Sequence, residues 1–347
     1  MKIGIICPSN IAMSRFLPAL RRLPDFEFAG IGVCGRSEIE GAAGMSDAEI
    51  DHIIAGQQAK ALEVTSEYGG VIYHSYEETA LSPDVEALYI PLPPALHYRW
   101  AKIALLHGKH VMVEKPSTIA YRDSRELVDI AERNHLALHE NYMFVFHRQI
   151  DEIAELIQSG RIGEVRLYRI SFGFPRRSTG DFRYQKSLGG GALLDAGGYT
   201  IRYARSLLGN SARLVYAKMN YTPEFDADLY GSGALVNDDG VTAQISFGMD
   251  NSYKCELEVW GSKGTLVTNR VLTAPAGYVP SAVIHDADGD QMIEFSADDT
   301  FAKSIEYFAQ CTVSDRERLA SYSSILNQSR MIDEFRTLAQ QDAGNIG

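Results

Sequence analysis

Between Lys2 and His139, short apolar runs alternate with stretches of helical period. Few folds tolerate that order. It is the pattern of a parallel sheet whose strands are buried on both faces and joined by crossover helices. Lys2–Ile6, Phe26–Val33, Val71–Tyr73, Ala87–Ile90, Lys109–Val113 and Leu136–His139 read as strands. After Lys2–Ile6 a helix is expected, with Ala12, Phe16, Ala19 or Leu20, and Leu23 on one face. Further helices are expected over Glu38–Tyr68, loosened by Gly41, Gly44 and Gly56, over Leu96–Leu106 and over Ser124–Asn134.

After Asn141 the texture changes. A helix near Ile150–Ser159 leads into longer alternating runs: Glu164–Phe174, Arg213–Tyr221, Val241–Phe247, Tyr253–Trp260 and Thr265–Asn269. One helix, Ala192–Leu208, interrupts them, and two more, Thr300–Cys311 and Ser321–Leu338, close the chain. Successive strands without crossover helices predict a mostly antiparallel sheet. The expected architecture is α/β followed by α+β: a Rossmann dinucleotide-binding domain over 1–140, then a substrate-binding and oligomerisation domain over 141–347. The second sheet has too few helices to cover it, so a homo-oligomer, dimer or tetramer, is expected.

The formal net charge of -12 argues against nucleic acid or an anionic membrane as a partner. No apolar run reaches the length of a membrane span, and the N-terminus lacks the regions of a secretion signal. A cytoplasmic enzyme acting on a small molecule is the expectation. Cys7, Cys34, Cys255 and Cys311 form no CxxC pair and read as free thiols. No His/Cys cluster has metal-ligand spacing, so no metal is expected.

In a dinucleotide fold, the turn after the first strand holds pyrophosphate on backbone amides at a helix N-terminus. The usual glycines of that turn are Cys7, Ser9 and Ala12 here. This leaves nucleotide binding open on the loop alone, with Ser9, Asn10 and Ile11 as the groups in question. The end of the second strand is more informative. NAD-specific enzymes carry an acid there for the ribose 2′-hydroxyl, whereas this chain has Arg36 and Ser37, which suit a 2′-phosphate. A lone exposed arginine is the plainer reading of Arg36. Its place directly after the strand favours NADP(H).

Four segments then make a resemblance specific: Tyr89-Ile90-Pro91-Leu92-Pro93-Pro94-Ala95-Leu96-His97, Gly108-Lys109-His110-Val111-Met112-Val113-Glu114-Lys115-Pro116, Glu140-Asn141-Tyr142-Met143-Phe144 and Gly189-Gly190-Gly191-Ala192-Leu193-Leu194-Asp195-Ala196-Gly197-Gly198-Tyr199. In order and spacing they resemble the glucose-fructose oxidoreductase / inositol dehydrogenase / rhizopine catabolism (Gfo/Idh/MocA) family, over nearly the whole chain. Together with Gly180–Gln185 and Gly240–Met249, they look like the sugar 3-ketoreductases of deoxysugar biosynthesis. Dihydrodiol dehydrogenases share much of the pattern. The resemblance implies NADPH and a nucleotide-linked, dTDP-type keto sugar. It places Lys115, Asp195 and Tyr199 at the reacting centre. It implies Pro91, Leu92, His97, Glu114 and Lys115 at the cofactor, beside Ser9, Asn10, Ile11, Arg36 and Ser37. It implies Tyr142, Arg183, Tyr184, Asp195 and Tyr199 at the substrate.

Carbonyl reduction needs a hydride donor, a proton donor and charge stabilisation at oxygen. An unperturbed tyrosine, with a pKa of about 10, is protonated at neutral pH and suits the acid's role. Tyr199 stands where the family often has histidine. Asp195 and Tyr199 lie four apart on one predicted helix and so share a face. Lys115, as a cation, would polarise the carbonyl. Each residue also has a plain structural reading: a loop lysine, a packed tyrosine, a capping aspartate. The basic run Arg176, Arg177, Arg183 and Lys186 suits a substrate diphosphate, or is a solvated loop. The alternative function is a dehydrogenase of a free sugar, polyol or trans-dihydrodiol.

Overall fold

The computed structural model describes residues 1–40 and 44–344, with side chains to residue 341. The chain divides into two compact units, Met1–Asn141 with Ser304–Leu326, and Tyr142–Lys303 with Asn327–Gly347.

The first unit is built on six parallel strands: β1 (Lys2–Ile6), β2 (Glu27–Gly32), β3 (Val71–Tyr73), β4 (Ala87–Ile90), β5 (His110–Glu114) and β6 (Leu138–Asn141). Their order, β3-β2-β1-β4-β5-β6, turns about β1. In such sheets the carboxyl ends of the strands at the point of reversal form the binding crevice. All four residues of β4 are fully buried, because a central parallel strand is covered on both faces. Phe16 stacks on Tyr89 at 3.8 Å, and Tyr76 meets Trp100 edge-on at 5.5 Å.

The helices of this unit are α1 (Leu17–Leu20), which continues a π-helical turn Ala12–Phe16, α2 (Asp47–Tyr68), α3 (Tyr76–Leu81), α4 (Pro94–Leu106) and α5 (Tyr121–Arg133). The helix expected to begin at Glu38 begins instead at Asp47. Ser46 caps it, exchanging hydrogen bonds with Glu49. Arg36–Glu38 forms a separate short turn, and residues 41–43 of the expected helix lie outside the described residues.

The second unit holds α6 (Arg148–Gln158), α7 (Gly198–Leu208) and eight strands: β7 (Val165–Gly173), β8 (Arg213–Asn220), β9 (Tyr230–Val236), β10 (Thr242–Gly248), β11 (Lys254–Gly261), β12 (Gly264–Asn269), β13 (Ser281–Asp286) and β14 (Gly289–Glu294). The order is β14-β13-β12-β11-β7-β10-β9-β8, antiparallel throughout except for β7 beside β10. Three of these strands were not read from the sequence. β9 carries Gly231 and Gly233, whose small size admits Phe247 and Phe335. β14 is a mostly exposed edge strand with no buried face to impose alternation. One face of the sheet buries Ala243, Ile245, Phe247, Leu257 and Val259. The other is polar, with Arg169 bonded to Gln244 and Glu258, and Ser246 to Ser171.

The last helices are α8 (Thr300–Val313) and α9 (Asp315–Gly344). The segment Ser304–Leu326 was expected with the second domain and groups with the first. Its polar groups explain why. Arg318 donates to the His135 carbonyl at 2.8 Å, Ser321 to that of Leu138 at 2.8 Å, and Tyr322 to that of Leu136. Those carbonyls lead into and along β6, the edge strand of the first sheet. Tyr322 and Ile325 join its apolar core.

Candidate active site

In the first unit, the turn after β1 keeps the geometry of the missing glycines with other residues. Cys7 adopts φ +76, the left-handed region glycine favours, and donates its N–H to Gly32 O at 3.1 Å. Ser9 then opens the helix. Its carbonyl accepts from Met13 N–H at 3.1 Å and its hydroxyl oxygen from Ala12 N–H at 3.2 Å. Asn10 and Ile11 therefore lie in the first helical turn, where N–H groups have no intrahelical acceptor. Asn10 is exposed and Ile11 half-buried, so the amides are within reach of an anion. This donor set suits a pyrophosphate.

Arg36 and Ser37 are exposed just past β2. Arg36 is already engaged. Its guanidinium binds the carboxylates of Asp47 and Asp51, both from the first turns of α2. These acids were not foreseen, because nothing in the local pattern ties them to the strand end. A third acid, Glu38, is buried, and its carboxylate accepts from the N–H groups of Gly35, Tyr76 and Glu77 at 2.7, 2.8 and 2.9 Å. A 2′-phosphate fits beside Arg36 if it takes the place of Asp47 and Asp51.

Pro91 and Leu92 follow β4, Glu114 ends β5 and Lys115 follows it. His97, for which a place at the cofactor and a structural role were both open, is fully buried. Its ring spans the loops after these two strands, Nδ1 lying 2.8 Å from Pro116 O and Nε2 2.7 Å from Leu92 O. Burial pushes its pKa down to about 4, so at neutral pH the ring is uncharged and donates to one of the two carbonyls. Glu114 is also buried. Tyr89 and Asn141 donate to its Oε1 at 2.7 and 2.6 Å. Asn141 accepts in turn from Ser304 at 2.8 Å, and Ser304 lies 2.9 Å from His139 Nε2. Burial raises the Glu114 pKa, opposed by Tyr89, Asn141 and the neighbouring Lys115. Lys115 itself is half-buried.

In the second unit, Asp195 lies in a π-helical turn, Leu193–Gly197, which runs directly into α7 and Tyr199. The sequence reading, one regular helix, did not anticipate that turn. Asp195 Oδ2 accepts from Arg183 Nε at 2.6 Å, and Arg183 also binds Asp181 at 3.2 Å. Tyr199 is 7% exposed and set among rings. Tyr142 meets it edge-on at 5.2 Å, Phe172 at 5.3 Å and Phe144 at a tilt, 5.7 Å. Its hydroxyl lies 3.8 Å from the Met143 sulfur, a weak acceptor.

Two residues expected at the substrate are buried, as Tyr199 is. Tyr142 packs behind Tyr199, and its hydroxyl comes so close to α7 that a β-carbon on Gly198 would lie 2.1 Å away. Tyr184 stacks on Phe225 at 4.3 Å. Its hydroxyl accepts from Arg177 N–H at 2.8 Å and donates to Met249 O at 3.3 Å. Within the basic run, Arg176 pairs with Glu224, and Arg183 with two aspartates.

Residues 26–142 match the oxidoreductase family with an NAD-binding Rossmann fold, and residues 150–267 the GFO/IDH/MocA C-terminal domain. The chain belongs to the GFO/IDH/MocA oxidoreductase family. It is 36% identical over 340 residues to a dTDP-3,4-didehydro-2,6-dideoxy-alpha-D-glucose 3-reductase of Actinomadura kijaniata, covering 98% of this chain and 96% of that protein. A Streptomyces violaceoruber protein of the same name is 35% identical over 98% of this chain and 95% of its own. Among solved structures, the 3-ketoreductase KijD10 of Actinomadura kijaniata, in complex with NADP and TDP-benzene, matches with a TM-score of 0.88 at 36% identity, over 97% of both chains. An aldose-aldose oxidoreductase of Caulobacter crescentus shares the fold, with a TM-score of 0.81 at 20% identity.

Proposed function

We propose that this chain reduces a keto group on a dTDP-linked deoxyhexose, with NADPH as reductant, Tyr199 as proton donor and Lys115 as electrostatic helper. One observation carries the reading. The match to the 3-reductases spans 98% of the chain. KijD10 was solved with a lysine changed to alanine or glutamate, and with a tyrosine changed to phenylalanine, each with TDP-benzene and NADP. That lysine and tyrosine are separated by the same length of chain as Lys115 and Tyr199.

NADPH, when bound, supplies the hydride. The chain does the rest. The amides of Asn10 and Ile11, with Ser9, hold the pyrophosphate, and Arg36 with Ser37 holds the 2′-phosphate. Pro91, Leu92 and Glu114 shape the nicotinamide end. Lys115 draws electron density toward the carbonyl oxygen, and Tyr199 gives that oxygen its proton. The rings of Tyr142, Phe144 and Phe172 pack around the Tyr199 ring and fix its place. Asp195, held by Arg183, is oriented toward the sugar hydroxyls. The first unit is the cofactor domain, and the second holds the sugar and the contacts of a cytoplasmic homo-oligomer. Exposed Trp260, Tyr216 and Val215 support such contacts. Among the described residues, no helix is long and apolar enough to cross a membrane.

A second reading, a dehydrogenase of free sugars or dihydrodiols, draws on the paired Arg176 and Arg183, which leave less charge for a diphosphate. NADPH oxidation against dTDP-, UDP- and GDP-linked keto sugars and their free sugars separates the two. A kcat/KM at least tenfold higher for a nucleotide-linked substrate is expected. Equal or better turnover of a free sugar would favour the second reading.

A further inference from the structure

The helix that carries Asp195 and Tyr199 starts after three glycines, and each has a physical reason. Gly189 takes φ +78 and ends a short turn over Lys186–Leu188. A β-carbon on Gly190 would come within 2.4 Å of the Arg183 carbonyl oxygen. Gly191 takes φ +122, and a β-carbon there would lie 2.2 Å from Asp228 Oδ1. The other oxygen of that carboxylate accepts the Leu193 N–H at 2.8 Å, and the Asp228 carbonyl accepts the Ala192 N–H at 2.8 Å. Asp228 comes from the chain between β8 and β9 and is 6% exposed. A buried carboxylate thus sits on the first turn of the helix, where the glycines let the backbone come close to it. No step of the reaction uses it directly.

We propose that Asp228 is a positioning residue for the reduction: its carboxylate fixes the entrance of the helix and so sets where Asp195 and Tyr199 stand. This rests on Tyr199 being the acid. An anion at a helix N-terminus satisfies an amide that has no intrahelical acceptor and complements the helix dipole. The titratable groups that act on it are Arg336 on α9 and Tyr221 just past β8. Burial raises the Asp228 pKa to about 6, opposed by the Leu193 and Asp228 amides and by Arg336.

The sign of that shift supplies the test. A carboxylate whose folded pKa lies above its ordinary value favours the fold below that ordinary value, and loses this contribution as pH rises through about 6. The ionised form therefore weakens the fold while it holds the helix. A residue serving the fold alone would move stability and activity together; a positioning carboxylate moves them apart.

Asp228→Asn keeps the shape and an acceptor for Leu193 N–H but removes the charge. At pH 7 its melting temperature should equal or exceed that of the parent, with the NADPH Kd unchanged. Its kcat should fall about tenfold, the upper range of helix-cap effects, with little change in KM. The parent should show an acid limb in kcat near pH 6 that the variant lacks. Gly191→Ala presses on the same carboxylate without neutralising it, so kcat should fall while the acid limb stays. Parent-like kcat and pH profile in Asp228→Asn would overturn the proposal, as would a fall in kcat matched by a fall in melting temperature. Tyr199→Phe in the same assay keeps the two ideas apart. If it retains full kcat, the acid assignment fails. If it is slow while Asp228→Asn is not, the positioning role alone fails.

Discussion

The two units place their candidate residues with different materials. In the first, the groups set out for the cofactor are mainly backbone: a left-handed turn at Cys7, the amides of Asn10 and Ile11, and two loops bridged by His97. In the second, they are side chains held by other side chains: Asp195 by Arg183, and Tyr199 by three aromatic rings. Backbone geometry tolerates substitution as long as the turn survives, which is how Cys7 and Ser9 replace glycines. Side-chain geometry fails one residue at a time.

The sharpest contrast should appear in catalysis. Tyr199→Phe and Lys115→Ala should each lower kcat by about 10²–10⁴-fold, the usual range for a general acid and for charge stabilisation, with the NADPH Kd held in Tyr199→Phe. Their losses should be less than additive, because both serve one transition state. Steady-state rates of both single variants and the double variant check this. A normal rate in Tyr199→Phe would move the acid's role to Lys115 or to water.

The next effect sets the units against each other by pH. The His97 pKa is depressed to about 4, so its neutral form is favoured by the fold, and that stability is lost as pH falls from about 6.5 through 4. Asp228 has the opposite sign over nearly the same window. The two should offset each other in the parent. Asp228→Asn removes the offset, so its urea stability should fall more steeply than the parent's between pH 6.5 and 4, by up to about 3 kcal/mol. Parallel pH curves for variant and parent would contradict this.

Packing comes third. Gly198→Ala forces a methyl to within 2.1 Å of the Tyr142 hydroxyl in a buried wall, and should cost about 1–3 kcal/mol of stability in thermal melts. In the first unit, Cys7→Gly removes a side chain from a left-handed position, and should leave stability within about 1 kcal/mol of the parent. The smallest effect belongs to Arg36. Its side chain is 49% exposed and shared with two acids. Arg36→Ala should narrow the preference for NADPH over NADH in kcat/KM by about tenfold or less.

Much of this was legible in the sequence, and the difference between the units explains what was not. Parallel strands buried on both faces announce themselves as apolar runs, and all six were read. β9 and β14 lack that signal, one through its glycines and one through its exposure. The helical period of Ser304–Leu326 showed a buried face without showing that β6 would cover it. Lys115, Asp195 and Tyr199 are candidates through the family resemblance, which rests on the motifs that carry them. The partners that hold or crowd the site, Asp47 and Asp51 on Arg36, Arg183 on Asp195, and Asp228 at Leu193, are brought together by tertiary folding and leave no local pattern.

The most direct test of the central claim follows the hydride itself. The enzyme is mixed with NADPH deuterated at the transferable position and a dTDP-linked 3-keto-6-deoxyhexose, and the product is read by NMR and mass spectrometry. The account predicts one deuterium on the former carbonyl carbon, a new hydroxyl there and an intact nucleotide diphosphate. No deuterium in the nucleotide sugar, with transfer instead to a free keto sugar under the same conditions, would contradict it.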